Sequence, residues 1–83
     1  MQFLVKIEIM PRKELLDPQG KAVTNGLNNI GCTQINDVRV GKCITYTTVA
    51  DNETIAFTEA EHATTKLLAN LIMESYNISI TAL

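Results

Sequence analysis

Phe3, Val5, Ile7 and Ile9 alternate with Leu4, Lys6, Glu8 and Met10, and Pro11 follows at once. Strict period-two alternation predicts a one-sided β-strand over residues 3–10. Pro11 has no N–H to give to a ladder, so the strand is expected to end there. A strand apolar on one face must bury that face under another layer, and only 83 residues are present to build it. A chain this short buries roughly 60–65% of the surface that its unfolded form exposes. Its core is therefore marginal and calls for a disulfide, a metal or a second chain.

The remaining periodicities describe the cover. Residues 11–16 form a charged connector. Asp17-Pro18 is a helix start, with Asp at the N-cap accepting from an orphan amide and Pro preset at the first helical position. Ala22, Val23, Leu27 and Ile30 keep helical spacing up to Gly31, a fitting C-terminal cap. Gly26 lies inside this helix, at a cost of about 1 kcal/mol relative to Ala, which is easiest to tolerate where another element comes close. Residues 34–50 are β-rich, and Gly41-Lys42 reads either as a hairpin turn or as a bend in one long strand. Asp51-Asn52-Glu53 opens a second helix with the apolar stripe Ala56, Ala60, Ala63, Leu67 and Leu71, widened by Leu68 and Ile72. That helix is expected to end between Leu71 and Glu74, before a last alternating strand over Tyr76–Ala82. The order β-α-β(-β)-α-β predicts a small α+β domain of ferredoxin-like plan spanning residues 1–83, with two helices on one face of a mostly antiparallel sheet.

Of the three supports, oligomerisation is favoured. Cys32 and Cys43 are too few for a disulfide framework, and His62 is the only histidine. No signal-like stretch precedes Lys6 and no apolar run reaches the roughly 20 residues of a membrane span, so a cytoplasmic chain with reduced thiols is expected. Seven basic and nine acidic residues give a net charge of −2, and the basic ones are scattered without an aromatic-interleaved stripe, which argues against nucleic acid. Residues 43–50 and 75–83 carry no charge. Edge strands are normally protected by charge or Pro. Two uncharged strands therefore point to edges paired with another chain, and the isolated protein is expected to be a dimer or tetramer.

No residue set reads as catalytic, cofactor-binding or metal-binding. Cys32 and Cys43 lack a nearby base in sequence, and His62 sits mid-helix beside Glu61. Asp51, Glu53, Glu59 and Glu61 match no calcium loop. Asp17 would itself occupy an anion site at the first helix, so it reads as a structural cap. Asp37 and Arg39 fall on one face of the predicted strand beside Gly41. They can recognise a partner or pair with each other, the latter for ~0–1 kcal/mol if exposed. A small hydrolase using Arg39 and Asn36 around a phosphate is a weaker reading, since no glycine loop accompanies them. A free-standing regulatory domain binding a small ligand is the alternative to an assembly subunit.

Three segments, Leu16-Asp17-Pro18-Gln19-Gly20-Lys21-Ala22-Val23, Val38-Arg39-Val40-Gly41-Lys42 and Lys66-Leu67-Leu68-Ala69-Asn70, resemble in order and spacing the PurS family of phosphoribosylformylglycinamidine synthase subunits. Leu71 and Ser75 depart from it, at the turn into the last strand. The resemblance implies a non-catalytic subunit of an ATP-dependent, glutamine-hydrolysing carbon–nitrogen ligase of purine biosynthesis. It implies two partners: a glutaminase subunit and a large synthetase subunit that uses ATP and Mg. The chain would bridge them and assist ammonia transfer, binding no cofactor itself. Arg39 and Lys42, in the most family-like charged segment, are the expected partner contacts.

Overall fold

A computed structural model describes all of residues 1–83. Strand β1 spans Gln2–Pro11, helix α1 Pro18–Asn29, strand β2 Lys42–Val49 and helix α2 Glu53–Ala63. Helix α2 runs into a π-helical turn over Thr64–Leu68, and strand β3 follows over Glu74–Ala82. The sheet is wholly antiparallel, in the order β2-β1-β3. The first strand is therefore central, and β2 and β3, charged only at Lys42 and Glu74, are its edges.

The alternation of β1 becomes burial. Phe3, Val5, Ile7 and Ile9 are buried, while Leu4, Lys6, Glu8 and Met10 face out. Ile7 lies between Ile44 on β2 and Ile78 on β3. Ala56 and Ala60 bring α2 down onto this row, their small side chains allowing close approach. Ile44, Tyr46, Leu68, Ala69, Tyr76, Ile78 and Ile80 close the rim. The opposite face of the sheet has no cover. It carries Thr45, Thr47, Asn77, Ser79 and Thr81 around an exposed Lys6–Glu8 ion pair at 3.9 Å.

Two expectations are corrected. Residues 34–50 form neither a hairpin nor one long strand: only Lys42–Val49 pairs, and residues 35–41 do not join the sheet. Asp37 takes a left-handed conformation (φ 58°), which breaks an extended run, and the Asp17 carboxylate claims the Val40 N–H that a ladder would need. Gly41 is required at the entry to β2, because a Cβ there would fall on the Ile9 carbonyl oxygen and the Met10 sulfur. Second, the last helix stops short of Leu71. The Ala69 N–H bonds back to the Thr64 carbonyl, five residues earlier, and this wide turn shifts the phase of the helix. Leu68 then turns inward, Leu67 is 82% exposed, and Thr64 is buried with its hydroxyl donating to the Ala60 carbonyl at 2.7 Å. Of the two helices, α2 packs on β1 and β3, while the start of α1 is tied to the approach to β2 through Asp17 and Val40.

Helix α1 is well terminated for a helix with so little of its surface covered. Asp17 caps its start, and at its end the Cys32 N–H bonds to the Leu27 carbonyl and the Gly31 N–H to the Asn28 carbonyl. Gly31 is left-handed (φ 97°), which completes a Schellman motif. No helix of the chain is long and apolar enough to cross a membrane.

Candidate partner interface

The connectors gather at one end of the sheet, around Asp17. Its Oδ1 accepts from the Gly20 N–H at 3.0 Å, and its Oδ2 from the Val40 N–H at 2.9 Å. One carboxylate thus caps α1 and ties the approach to β2 against the helix start. The Gly20 and Val40 amides, and then the nearby Arg39 guanidinium, hold this carboxyl below its ordinary value. A carboxyl lowered on folding stabilises in full above its unfolded pKa, and the contribution fades as pH falls through the lower folded value. Asp17→Ala is therefore expected to lower the thermal midpoint by several degrees at neutral pH. Asp17→Asn keeps a cap but should lose part of the acid-side dependence, as read by thermal melts across pH. A melt of Asp17→Ala that overlays wild type would dismiss the clip.

Arg39 does not share a strand face with Asp37, and no ion pair joins them. Its guanidinium turns back to donate to the carbonyls of Pro11, Arg12 and Lys13, those to Pro11 and Lys13 at 3.4 Å. Its Nε is buried without a partner. Arg39 thus has a structural role that its sequence position did not suggest. Arg12, overlooked in the sequence, donates from Nε and a terminal nitrogen to the Leu71 carbonyl at 3.1 and 2.7 Å, fixing the turn after the π-helix. A charged residue directly behind a strand-ending proline was the available signal. Lys42, half-exposed, lies 3.9 Å from Glu74 at the start of β3, and Glu74 also accepts from the Asn70 N–H at 2.8 Å. Between these groups opens a cleft of about 370 Å³, walled by Pro11, Leu15, Leu16, Val40, Met73 and the two carboxylates Asp17 and Glu74.

This arrangement orders the connectors. No three His, Cys, Asp or Glu side chains converge. Cys43 faces out opposite Glu8, Cys32 follows the end of α1, and His62 is exposed on the last turn of α2. Asn36 is exposed, and Arg39 is engaged with main-chain carbonyls, so the two frame no anion site. The surfaces with unused bonding capacity are the outer edges of β2 and β3. Each presents main-chain N–H and C=O groups, and no charge lies along residues 43–50 or 75–83.

Fold and surface together define a small ferredoxin-like α+β module with two open sheet edges. Residues 4–82 match the family model for PurS, phosphoribosylformylglycinamidine (FGAM) synthase. The chain is 38% identical over 78 residues to the PurS subunit of FGAM synthase from Synechocystis, covering 94% of this chain and 78% of that protein. It superposes on Thermus thermophilus PurS with a TM-score of 0.88 at 33% identity, covering 100% and 99% of the two chains. It also superposes on a chain of PurLQS from Thermotoga maritima with a TM-score of 0.89 at 25% identity, covering 98% and 99%. The chain belongs to the PurS family, whose members are subunits of FGAM synthase in purine biosynthesis.

Proposed function

We propose that this chain is a scaffold subunit of FGAM synthase, bridging a glutaminase subunit and an ATP- and Mg-using synthetase subunit so that ammonia passes between them. In this reading residues 1–83 act as one module in the cytoplasm, associate with a second copy, and contribute geometry to chemistry done by the partners. The observation that carries it is the pair of open edge strands, free of charge along residues 43–50 and 75–83, on a member of the PurS family. Ammonia is protonated at neutral pH and ammonium is no nucleophile, so a closed path that excludes water preserves the reactive form. Lys42, exposed at the head of an edge strand, is the proposed partner contact, and Arg39 presents it by holding the 11–13 connector in place.

The test measures amidine formation by the reconstituted partners, with glutamine or with ammonium, in the presence and absence of this chain. Glutamine-dependent turnover is expected to require the chain, and high external ammonium to relieve much of that requirement. Full glutamine-dependent activity without the chain would end the bridging reading. An Arg39→Ala, Lys42→Ala pair with wild-type activity would remove only the Lys42 contact and the positioning role of Arg39.

A further inference from the structure

The cleft at the connector end of the sheet holds negative charge that its own chain leaves largely unanswered. Leu15, Leu16, Val40 and Met73 give it apolar walls, and the only charged groups on those walls are the carboxylates of Asp17 and Glu74. The chain makes two ion pairs, Lys6–Glu8 and Lys42–Glu74, and neither engages Asp17. Arg39 is near Asp17 but turns its N–H groups to the carbonyls of residues 11–13. The Glu74 side chain is only 24% exposed, yet its cation stands off at 3.9 Å on a lysine half in solvent. A carboxylate drawn out of water is costly unless a close cation or hydrogen bonds replace that water. Main-chain amides supply part of the replacement, Gly20 and Val40 to Asp17 and Asn70 to Glu74. An ionised carboxylate offers about four acceptor positions, so both groups have capacity left.

The walls are apolar where they meet solvent. Leu16 is 80% and Met73 53% exposed, the first in the connector before α1 and the second in the turn before β3. At about 370 Å³ the cleft is near the lower limit of small-molecule pockets. A ligand that filled it would leave both of these residues wet. A side chain arriving from another protein surface brings its own backbone across them and covers both. The walls also set the chemistry of that side chain: a long apolar stem, and a cationic head with several N–H donors. Arginine has both, and its planar guanidinium with five N–H groups can be shared between two carboxylates. An acidic segment would meet like charge here, and a purely apolar one would bury the carboxylates without a counter-charge.

We propose that this cleft receives an arginine side chain of a partner subunit of FGAM synthase, its guanidinium between Asp17 and Glu74 and its stem against Leu16 and Met73. The proposal rests on the bridging reading above and adds a socket beside the contact assigned there to Lys42. Gln19, exposed in the first turn of α1, also lines the cleft. A charge placed at this position changes the field in the cleft while leaving Asp17 and its two amide contacts in place.

The test titrates each reconstituted partner subunit separately with the full chain and with its Gln19→Lys, Gln19→Glu and Leu16→Ala variants, followed by calorimetry. Gln19 and Leu16 are both exposed, so thermal melts should show the fold retained. Gln19→Lys sets a cation beside the two carboxylates, where it competes for them and repels the incoming guanidinium. The dissociation constant for one of the partners should rise by about tenfold or more. Gln19→Glu adds a third carboxylate and should lower that constant, and the gap between the two variants should narrow as salt is raised. Leu16→Ala should weaken binding by about threefold or more through lost apolar contact, with the salt dependence unchanged. Wild-type affinity of Gln19→Lys for both partners would overturn the proposal, whether the cleft then takes a small cation, a second copy or nothing. Equal weakening by the lysine and the glutamate would overturn it too, since it would mark a contact at Gln19 that involves no cation. A wild-type chain that binds neither partner would remove the bridging reading itself, and this proposal with it.

Discussion

Ile7→Ala is expected to remove about half or more of the isolated chain's stability at 25 °C. Ile7 is fully buried at the centre of β1, between Ile44 and Ile78, with the helix α2 above it. Truncating a buried isoleucine to alanine costs about 2–5 kcal/mol, the lost transfer energy plus that of the cavity left behind. A chain of this size has total stability of roughly 4–12 kcal/mol by the usual per-residue range. Only eight residues of this one are buried, which places it towards the lower end. Urea unfolding followed by circular dichroism is the measurement. With a slope of about 1 kcal/mol per M for a small chain, the midpoint should fall by about 2 M or more. A shift below about 0.5 M would mean that the row on β1 is not the centre of stability.

Gly41→Val is the second large effect, and it acts through the backbone. The added Cβ would land on the Ile9 carbonyl and the Met10 sulfur. The methionine side chain can move aside, but the carbonyl belongs to the central strand and cannot. Relief requires the head of β2 to lift from β1, breaking the Ile9–Lys42 pairing and pulling Val40 from the Asp17 carboxylate. Overpacking of this kind costs about 1–3 kcal/mol, and more where the backbone must shift. The same displacement moves Lys42 away from Glu74, so the proposed partner contact should weaken together with stability. A variant with a wild-type melting curve would show that the β2 entry has slack which the geometry denies it.

The elements that could be read from the sequence are those in which local pattern and tertiary demand agree. The alternation before Pro11 made β1 plain, and Asp17-Pro18 marked the helix start because capping is a local bargain between neighbours. The approach to β2 misled because Val38 and Val40 alternate like a strand, yet a carboxylate twenty-three residues away takes the Val40 N–H. The end of the second helix was hidden by one widened turn at Thr64, which leaves no compositional mark and rotates every later residue about the axis. At the candidate interface, the uncharged edges were visible in the sequence and their placement in the sheet agrees. The role of Arg39 was not visible, because its partners are the main-chain carbonyls of residues 11–13, and any side chains could have stood there.

The central place of β1 has a consequence for how the chain comes to be folded during its own synthesis. The first strand made is the one that needs both others: Leu4 faces Thr47 on one side and Thr81 on the other. As the chain emerges, β1 has nothing to pair with until β2 is made, and its second edge stays open until residues 74–82 have left the ribosome. Every sheet contact spans a long loop, whose closure entropy must be met before the contact gives anything back. The apolar row of Phe3, Val5, Ile7 and Ile9 thus lacks its sheet partners until β2 and β3 have emerged. This chain is expected to depend on prompt completion, and a ribosome stalled between residues 50 and 74 would display an unpaired β1 edge to whatever lies nearby.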